Sequence, residues 1–368
     1  MVLSKLLFSF TSNISLTVIG LLGIGFIIGF HEFGHFIFCK IFKVRTNSFS
    51  IGYGPKLLKR TFGETEFSLS AIPLGGYVEM ATESPIGPKD PMLFTSKPLY
   101  QKLFVIFGGI SFNMIFAYFI ICLSFWVGLP KTPLLYPINT TAKINSFQKK
   151  SAAQAAGVQT GDVILEINGT PLAGSAKELF KITKPLANES IDLLIKRNGK
   201  QKNINVKLSE ITIFGESYGN LGAIFEMTEK PGLGFIDSIT NGIKLTNAYI
   251  VRTFKAYKNI FTKRDTKGLG GPIMVISETI KGASKGSKIF LLFLAIISIN
   301  LAILNLIPLP ILDGGQALLF TIEGIIRRQL PERAKEMIFI ACWLGMLLLF
   351  VFLSAKDILR IVSGYLGK

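Results

Sequence analysis

Four long apolar runs set the pattern of this chain, at about Ile14 to Cys39, Leu103 to Leu129, Ile289 to Leu312 and Ile338 to Ser354. A helix rises about 1.5 Å per residue and the hydrocarbon layer of a bilayer is roughly 30 Å thick, so each run reads as a membrane-crossing helix. The fourth is slightly short and is expected to be extended by its flanks. No small-residue cleavage site follows the first, which therefore reads as a retained span and not a removed signal. Between the first two runs, from Phe49 to Met80, Gly and Pro break the pattern. Glu66 to Ser70 nonetheless alternates, and Ile72-Pro73-Leu74-Gly75-Gly76-Tyr77-Val78 follows, which predicts strands or hairpins close to the membrane. From about Lys131 to Glu229 the chain is soluble in character, with strand-like runs at Val163 to Ile167 and Ile191 to Ile195. Ile236 to Lys263 has the period of an amphipathic helix that lies on the membrane or covers the spans.

Composition supports this division. Of 368 residues 49% are hydrophobic, and the 31 Phe add to an apolar surplus concentrated in the long runs. The formal charge of +17 is spread through loops and the soluble insert. With no nucleic-acid motif, it indicates a basic surface near anionic lipid and no nucleic-acid partner. Arg327, Arg328, Arg333 and Lys335 form a compact basic loop between the third and fourth runs, and the loop from Lys40 to Lys102 is also basic. The positive-inside rule places both in the cytoplasm and the N-terminus, the insert and the C-terminus on the other side. Cys39, Cys122 and Cys342 lie in or beside apolar runs without paired spacing and read as packing residues.

The candidate chemistry sits inside the first run, at His31-Glu32-Phe33-Gly34-His35. Residues four apart share a helical face, so the chain's only two histidines can aim at one cation while Glu32 acts as base toward a water. Three ionisable groups within a membrane span are costly unless they bind metal, pair or line a polar cavity. A catalytic zinc usually takes three protein ligands. Cys39 is one turn too far, about 6 Å along the axis from His35. Asp357 closes a span running the opposite way. Asp313 ends the third run, which is parallel to the first, and so is expected at the depth of the histidines; Glu323, farther into the loop, is the competitor. In Asn305-Leu306-Ile307-Pro308-Leu309-Pro310 the prolines must open the helix and free backbone carbonyls. Pro308 and Asn305 are therefore candidates for substrate binding, with a helix-helix contact the lesser alternative for Asn305. Gly75, Gly76 and Tyr77 are candidates for an edge strand that pairs with an extended substrate, or for an ordinary surface loop. Gly108-Gly109-Ile110-Ser111-Phe112-Asn113 suggests close helix packing with the Asn113 amide turned toward the site.

Two resemblances add to this reading. The run from Ser151 to Gly169, a short alanine-rich helix then a strand ending in Asn168-Gly169, resembles the signature of a PDZ domain. Leu221, Gly222, Ala223 and Ile224 are candidates for its peptide groove, ahead of Gly232-Leu233-Gly234-Phe235, which spells a carboxylate-binding loop but opens a helical stretch. The whole chain resembles the site-2 protease family of intramembrane zinc metalloproteases, of the bacterial, PDZ-containing regulator of sigma-E protease type. The resemblance rests on the His31 to His35 motif, the Ile72 to Val78 sequence, the Gly-rich start of the second span, the PDZ-like insert and the run Asn305 to Gly315. It implies zinc held by His31, His35 and Asp313, Glu32 as general base and Asn305 assisting substrate binding. It also implies transmembrane protein substrates, pre-trimmed by another protease, cut within the bilayer of the bacterial inner membrane. The expected fold is a multi-pass α-helical membrane protein with four transmembrane helices, a membrane-associated β-hairpin region and a soluble α+β PDZ domain. The expected divisions are 1–129, 130–229, 230–287 and 288–368. A silent PDZ adaptor and a zinc transporter or sensor are the rival readings.

Overall fold

The computed structural model describes residues 2–81, 87, 90–172, 174–213, 216–263, 270–328 and 330–366. It divides into two compact units, one formed by residues 1–122 with 242–368 and the other by Leu123–Asn241. The second is wider on both sides than the soluble insert expected at 130–229.

In the first unit, α1 (Val2–Ile41) is followed by a hairpin of β1 (Thr46–Phe62) and β2 (Thr65–Met80) and by α2 (Leu99–Val127). β1 and β2 pair at more than one register: residues 48–51 face 76–79 on one side and 66–69 on the other. The stretch 76–80 has partners on one side only and so forms a sheet edge.

The second unit contains β3 (Thr140–Phe147), α3 (Ala152–Ala155), β4 (Val163–Ile167), β5 (Thr170–Pro171) and α4 (Ala176–Thr183). β6 (Ser190–Arg197), β7 (Lys200–Lys207), β8 (Ser209–Ile213), β9 (Glu216–Asn220) and β10 (Ala223–Met227) follow. Six strands form one sheet in the order β10-β3-β4-β6-β7, with β5 on β4, which leaves β10 at an edge. Alternation along the strands sends Ile144, Ile164, Ile167, Ile191, Leu193, Ile195 and Phe225 into a single core, joined by Leu179 of α4. Inside this unit Arg197 donates from Nε to Asp162 Oδ1 at 2.8 Å and from a terminal nitrogen to Oδ2 at 2.7 Å. Burial works to raise the Asp162 pKa, but these bonds and the Gln159 N–H outweigh it and hold the carboxyl below its usual range. A group with a depressed folded-state pKa stabilises the fold fully above the ordinary carboxylate range near pH ~4 and loses that contribution as pH falls below it. Arg197→Ala should therefore destabilise residues 123–241 at pH 7, because it leaves the buried Asp162 carboxylate without its charged donor. It should also flatten their acid dependence, as followed by hydrogen exchange on the full chain.

The chain returns to the first unit along α5 (Phe235–Lys263) and continues through α6 (Pro272–Ser284), α7 (Ser287–Asn305), α8 (Asp313–Ile326) and α9 (Glu332–Leu366). Among the described residues four helices are long and apolar enough to cross a membrane, at Ile14–Ile41, Leu99–Val127, Ser287–Asn305 and Glu332–Arg360. The third run departs from its sequence pattern: the helix stops at Asn305, and Asp313 opens a new helix instead of ending the old one. Pro308 and Pro310 cannot donate to a continuing helix, so residues 306–312 close into short turns, with Ile307 N bonded to Leu304 O and Leu312 N to Leu309 O.

A candidate metal centre between helices

His31 and His35 lie on one face of α1, both buried, and their Nε2 atoms approach to 3.2 Å. The other nitrogen of each ring is engaged. His35 Nδ1 is 2.8 Å from the Val105 carbonyl of α2, which accepts its proton. The Asn113 amide is 3.2 Å from His31 Nδ1, and its oxygen is buried with no hydrogen-bond partner among the described residues. The two ends of an amide can exchange places, and with the oxygen toward the ring Asn113 accepts the Nδ1 proton. Both imidazoles then present a bare Nε2 lone pair to the same space. The sequence points to Asn113 but carries no signal for Val105, because a backbone carbonyl acts there and the side chain is incidental.

Asp313 closes the group. Its Oδ2 is 3.1 Å from His31 Nε2 and 3.6 Å from His35 Nε2, yet it is buried with no hydrogen-bond partner among the described residues. The ligand atoms of His31, His35 and Asp313 all lie within 4.8 Å of one another. Two neutral imidazole nitrogens and an orphaned carboxylate oxygen converging in a buried site are a donor set that suits zinc, and without a cation they would leave the carboxylate unpaired.

Glycines let the helices come this close. A Cβ on Gly109 would stand 2.5 Å from His35 Nε2 and 2.8 Å from His31 Nε2, so a side chain there would enter the ligand space. Gly108 faces Gly34 of α1 backbone to backbone. On the other wall, a Cβ on Gly314 would stand 2.5 Å from the Leu306 carbonyl, which explains why the chain must be bare where Asp313 starts α8.

Glu32 reaches toward the hairpin, where its carboxylate accepts the Val78 backbone N–H, and it stays within electrostatic reach of His31, His35 and Asp313. A Cβ on Gly76 would be 3.0 Å from Glu32 Cγ. Of the predicted strand residues, Gly76 and Tyr77 thus lie on the sheet edge that reaches Glu32, and Gly75 precedes them against the Tyr53 ring. Tyr53 donates to the Gly76 carbonyl at 3.0 Å and stacks on Tyr77 with ring centroids 6.2 Å apart. Asn305 Nδ2 is 3.5 Å from His31 Nε2, and Pro308 lies in the turn between Asn305 and Asp313.

The competing ligands are engaged elsewhere. Cys39 is buried with Val44 and Val105. Glu323 pairs with Lys335 at 2.7 Å and accepts the Leu330 N–H. Asp357 accepts the N–H groups of Gly271 and Met274 at 3.0 and 2.9 Å, which caps the start of α6. Leu221 to Ile224 lie in the second unit, leading into β10. The Leu221 carbonyl accepts from Ala153 N, and Ala223 and Ile224 pair with Phe147 and Ser146 of β3. Leu233 and Phe235 stand just before and at the start of α5, where Leu233 N bonds the Phe125 carbonyl.

A metal-binding group walled by membrane-length helices, with a carboxylate held alongside, defines a membrane-embedded metallopeptidase. The chain belongs to peptidase family M50, the site-2 protease family, whose sequence model matches residues 19–351. It is an intramembrane zinc metalloprotease. Among similar proteins, one from Campylobacter jejuni named as a zinc metalloprotease is 34% identical over 92% of each chain. One from Nostoc with the same kind of name is 30% identical, over 90% of this chain and 93% of its own. A chloroplastic protein of Arabidopsis thaliana, named as a membrane metalloprotease, is 30% identical over 91% of this chain and 78% of its own. Among solved structures, the PDZ domain of an SdrC-like protein from Listeria monocytogenes is similar at TM-score 0.21 and 20% identity, covering 24% of this chain and 87% of that one.

Proposed function

We propose that His31, His35 and Asp313 hold the zinc and that Glu32 is the general base for hydrolysis of peptide bonds within membrane-spanning segments of other proteins. The convergence of the three ligand atoms within 4.8 Å, drawn from two separate helices, carries this reading. Held by His31, His35 and Asp313, zinc would supply the Lewis acidity that lowers the pKa of a water and polarises the scissile carbonyl. Glu32 accepts the proton of the attacking water and returns it to the leaving amine, while the Val78 N–H fixes its carboxylate. Asn305, at the end of α7 and 3.5 Å from His31 Nε2, is the side chain that donates to a substrate carbonyl, and the break in the helix at Pro308 supports a second substrate contact there.

A transmembrane helix hides its peptide bonds, so the substrate must unwind before attack, and residues of low helix propensity near the cut ease this. The one-sided edge 76–80 supports the idea that the opened segment pairs there, which would bring it alongside Glu32. In the second unit, the edge strand β10 runs beside α4, where Phe180 and Phe225 meet edge to face with centroids 5.7 Å apart. This arrangement supports a PDZ-type groove entered at Leu221 to Ile224, for a chain end exposed by an earlier cut. The basic loops support an inner-membrane orientation with the insert outside the cytoplasm.

Asn113 acts through His31. Asn113→Ala should weaken zinc affinity by about 10–100-fold, the usual effect of removing a hydrogen bond to a ligating histidine. Chelator competition measures this. An unchanged affinity would show that Val105 and the helix packing suffice to orient the rings.

The whole reading is tested by cleavage of a reconstituted transmembrane substrate. Activity should disappear with a zinc chelator and return with added zinc. A protein that retains no zinc when His31, His35 and Asp313 are all intact would overturn it.

A further inference from the structure

A second site lies in the same unit at the far end of α8. A partly open cavity of about 210 Å³ is lined by Leu99, Lys102, Phe320, Glu323, Arg327 and Arg328 among others. Glu323 follows Asp313 by ten residues on one helix, so the cavity stands about 15 Å from the candidate metal centre. Its charges are unbalanced. Glu323 is committed to Lys335 and to the Leu330 N–H. Lys102 holds its ammonium 5.4 Å over the Phe320 ring. Arg327 and Arg328 are exposed and have no hydrogen-bond or ion-pair partner among the described residues. Arg327 also ends α8 in the left-handed region, at φ 54°, a place that glycine usually fills. Exposed apolar side chains stand close by in the chain: Tyr100 and Phe104 on either side of Lys102 in α2, where both meet Phe42 of α1, and Ile325 and Ile326 just before Arg327 in α8.

We propose that this cavity binds the phosphate of an anionic phospholipid. Two free guanidinium forks match phosphate oxygens, and Lys102 adds a third positive charge. α2 begins at Leu99, so Lys102 stands at the end of a membrane span, at the level where headgroups lie. The cavity is smaller than the roughly 300–1,000 Å³ of sites that enclose a whole small molecule. It therefore fits a headgroup whose acyl chains lie outside, along the exposed apolar side chains. A soluble phosphate compound would leave those side chains uncovered. A lipid bound here would also fasten the end of α8 opposite Asp313.

The test uses the full chain reconstituted in nanodiscs of phosphatidylcholine with phosphatidylglycerol, then extracted gently and weighed by native mass spectrometry. One phosphatidylglycerol should be retained per chain. The combined variant Lys102→Gln, Arg327→Gln, Arg328→Gln should lower retention about 100-fold, since each basic group near a membrane surface contributes roughly fivefold. A charge-matched control in the insert, Lys200→Gln, Lys202→Gln, Lys207→Gln, should retain lipid as the parent does. Equal retention by the cavity variant and the control, or equal retention of phosphatidylcholine by the parent, would overturn the proposal. Displacement of the lipid by millimolar inorganic phosphate would do the same, by assigning the site to soluble phosphate. If the triple variant does not fold, Arg328→Gln alone changes only an exposed side chain and should reduce retention about fivefold; no reduction counts against the site.

Discussion

Glu32→Gln is expected to stop proteolysis while leaving bound zinc unchanged. The amide oxygen of Gln can still accept the Val78 N–H, so the side chain keeps its place beside the edge strand. What it loses is the ability to take a proton, and removal of a positioned general base typically slows a reaction by about 10²–10⁴-fold. Cleavage rate and zinc content measured on the same preparation separate the two effects. Turnover within a few-fold of the parent would remove Glu32 from the role of base. Loss of zinc would make it a ligand.

Asp313→Ala should remove zinc itself. The buried Oδ2 has no hydrogen-bond partner among the described residues and faces both Nε2 atoms, and it is the carboxylate oxygen that converges with them as a third ligand. Two histidines alone fall short of the three protein ligands that a catalytic zinc usually takes. Metal analysis after dialysis should find the zinc largely gone, and activity with it. Glu323→Gln is the matched control and should keep its metal, because its carboxylate is already spent on Lys335 and Leu330 N–H. If Asp313→Ala kept zinc and Glu323→Gln lost it, the ligand assignment would pass to Glu323.

Much of this was legible in the residues. Four apolar runs of membrane length are visible because lipid demands uninterrupted apolar helices, and each corresponds to one of the four long helices. The spacing of His31 and His35 follows from the helical repeat alone. The hairpin was foreseen in its alternation, but its doubled register was not. Residues 48–51 pair on both sides, and no local pattern distinguishes a strand with two neighbours from one with a single neighbour. The third span ends several residues before its apolar run does. The apolar run continues to Leu312, whereas Pro308 and Pro310 end the helix at Asn305.

By itself the sequence determined which residues can do chemistry and at what repeat they recur, since the helical period and the cost of charge in lipid act locally. Only the tertiary structure decided which of them meet. Asp313 is 278 positions from His35, and it reaches the imidazoles because a proline-broken turn starts a new helix there on bare glycines. The Val105 carbonyl and the Val78 amide orient His35 and Glu32 through backbone groups that every residue carries, and only packing can give such groups a role.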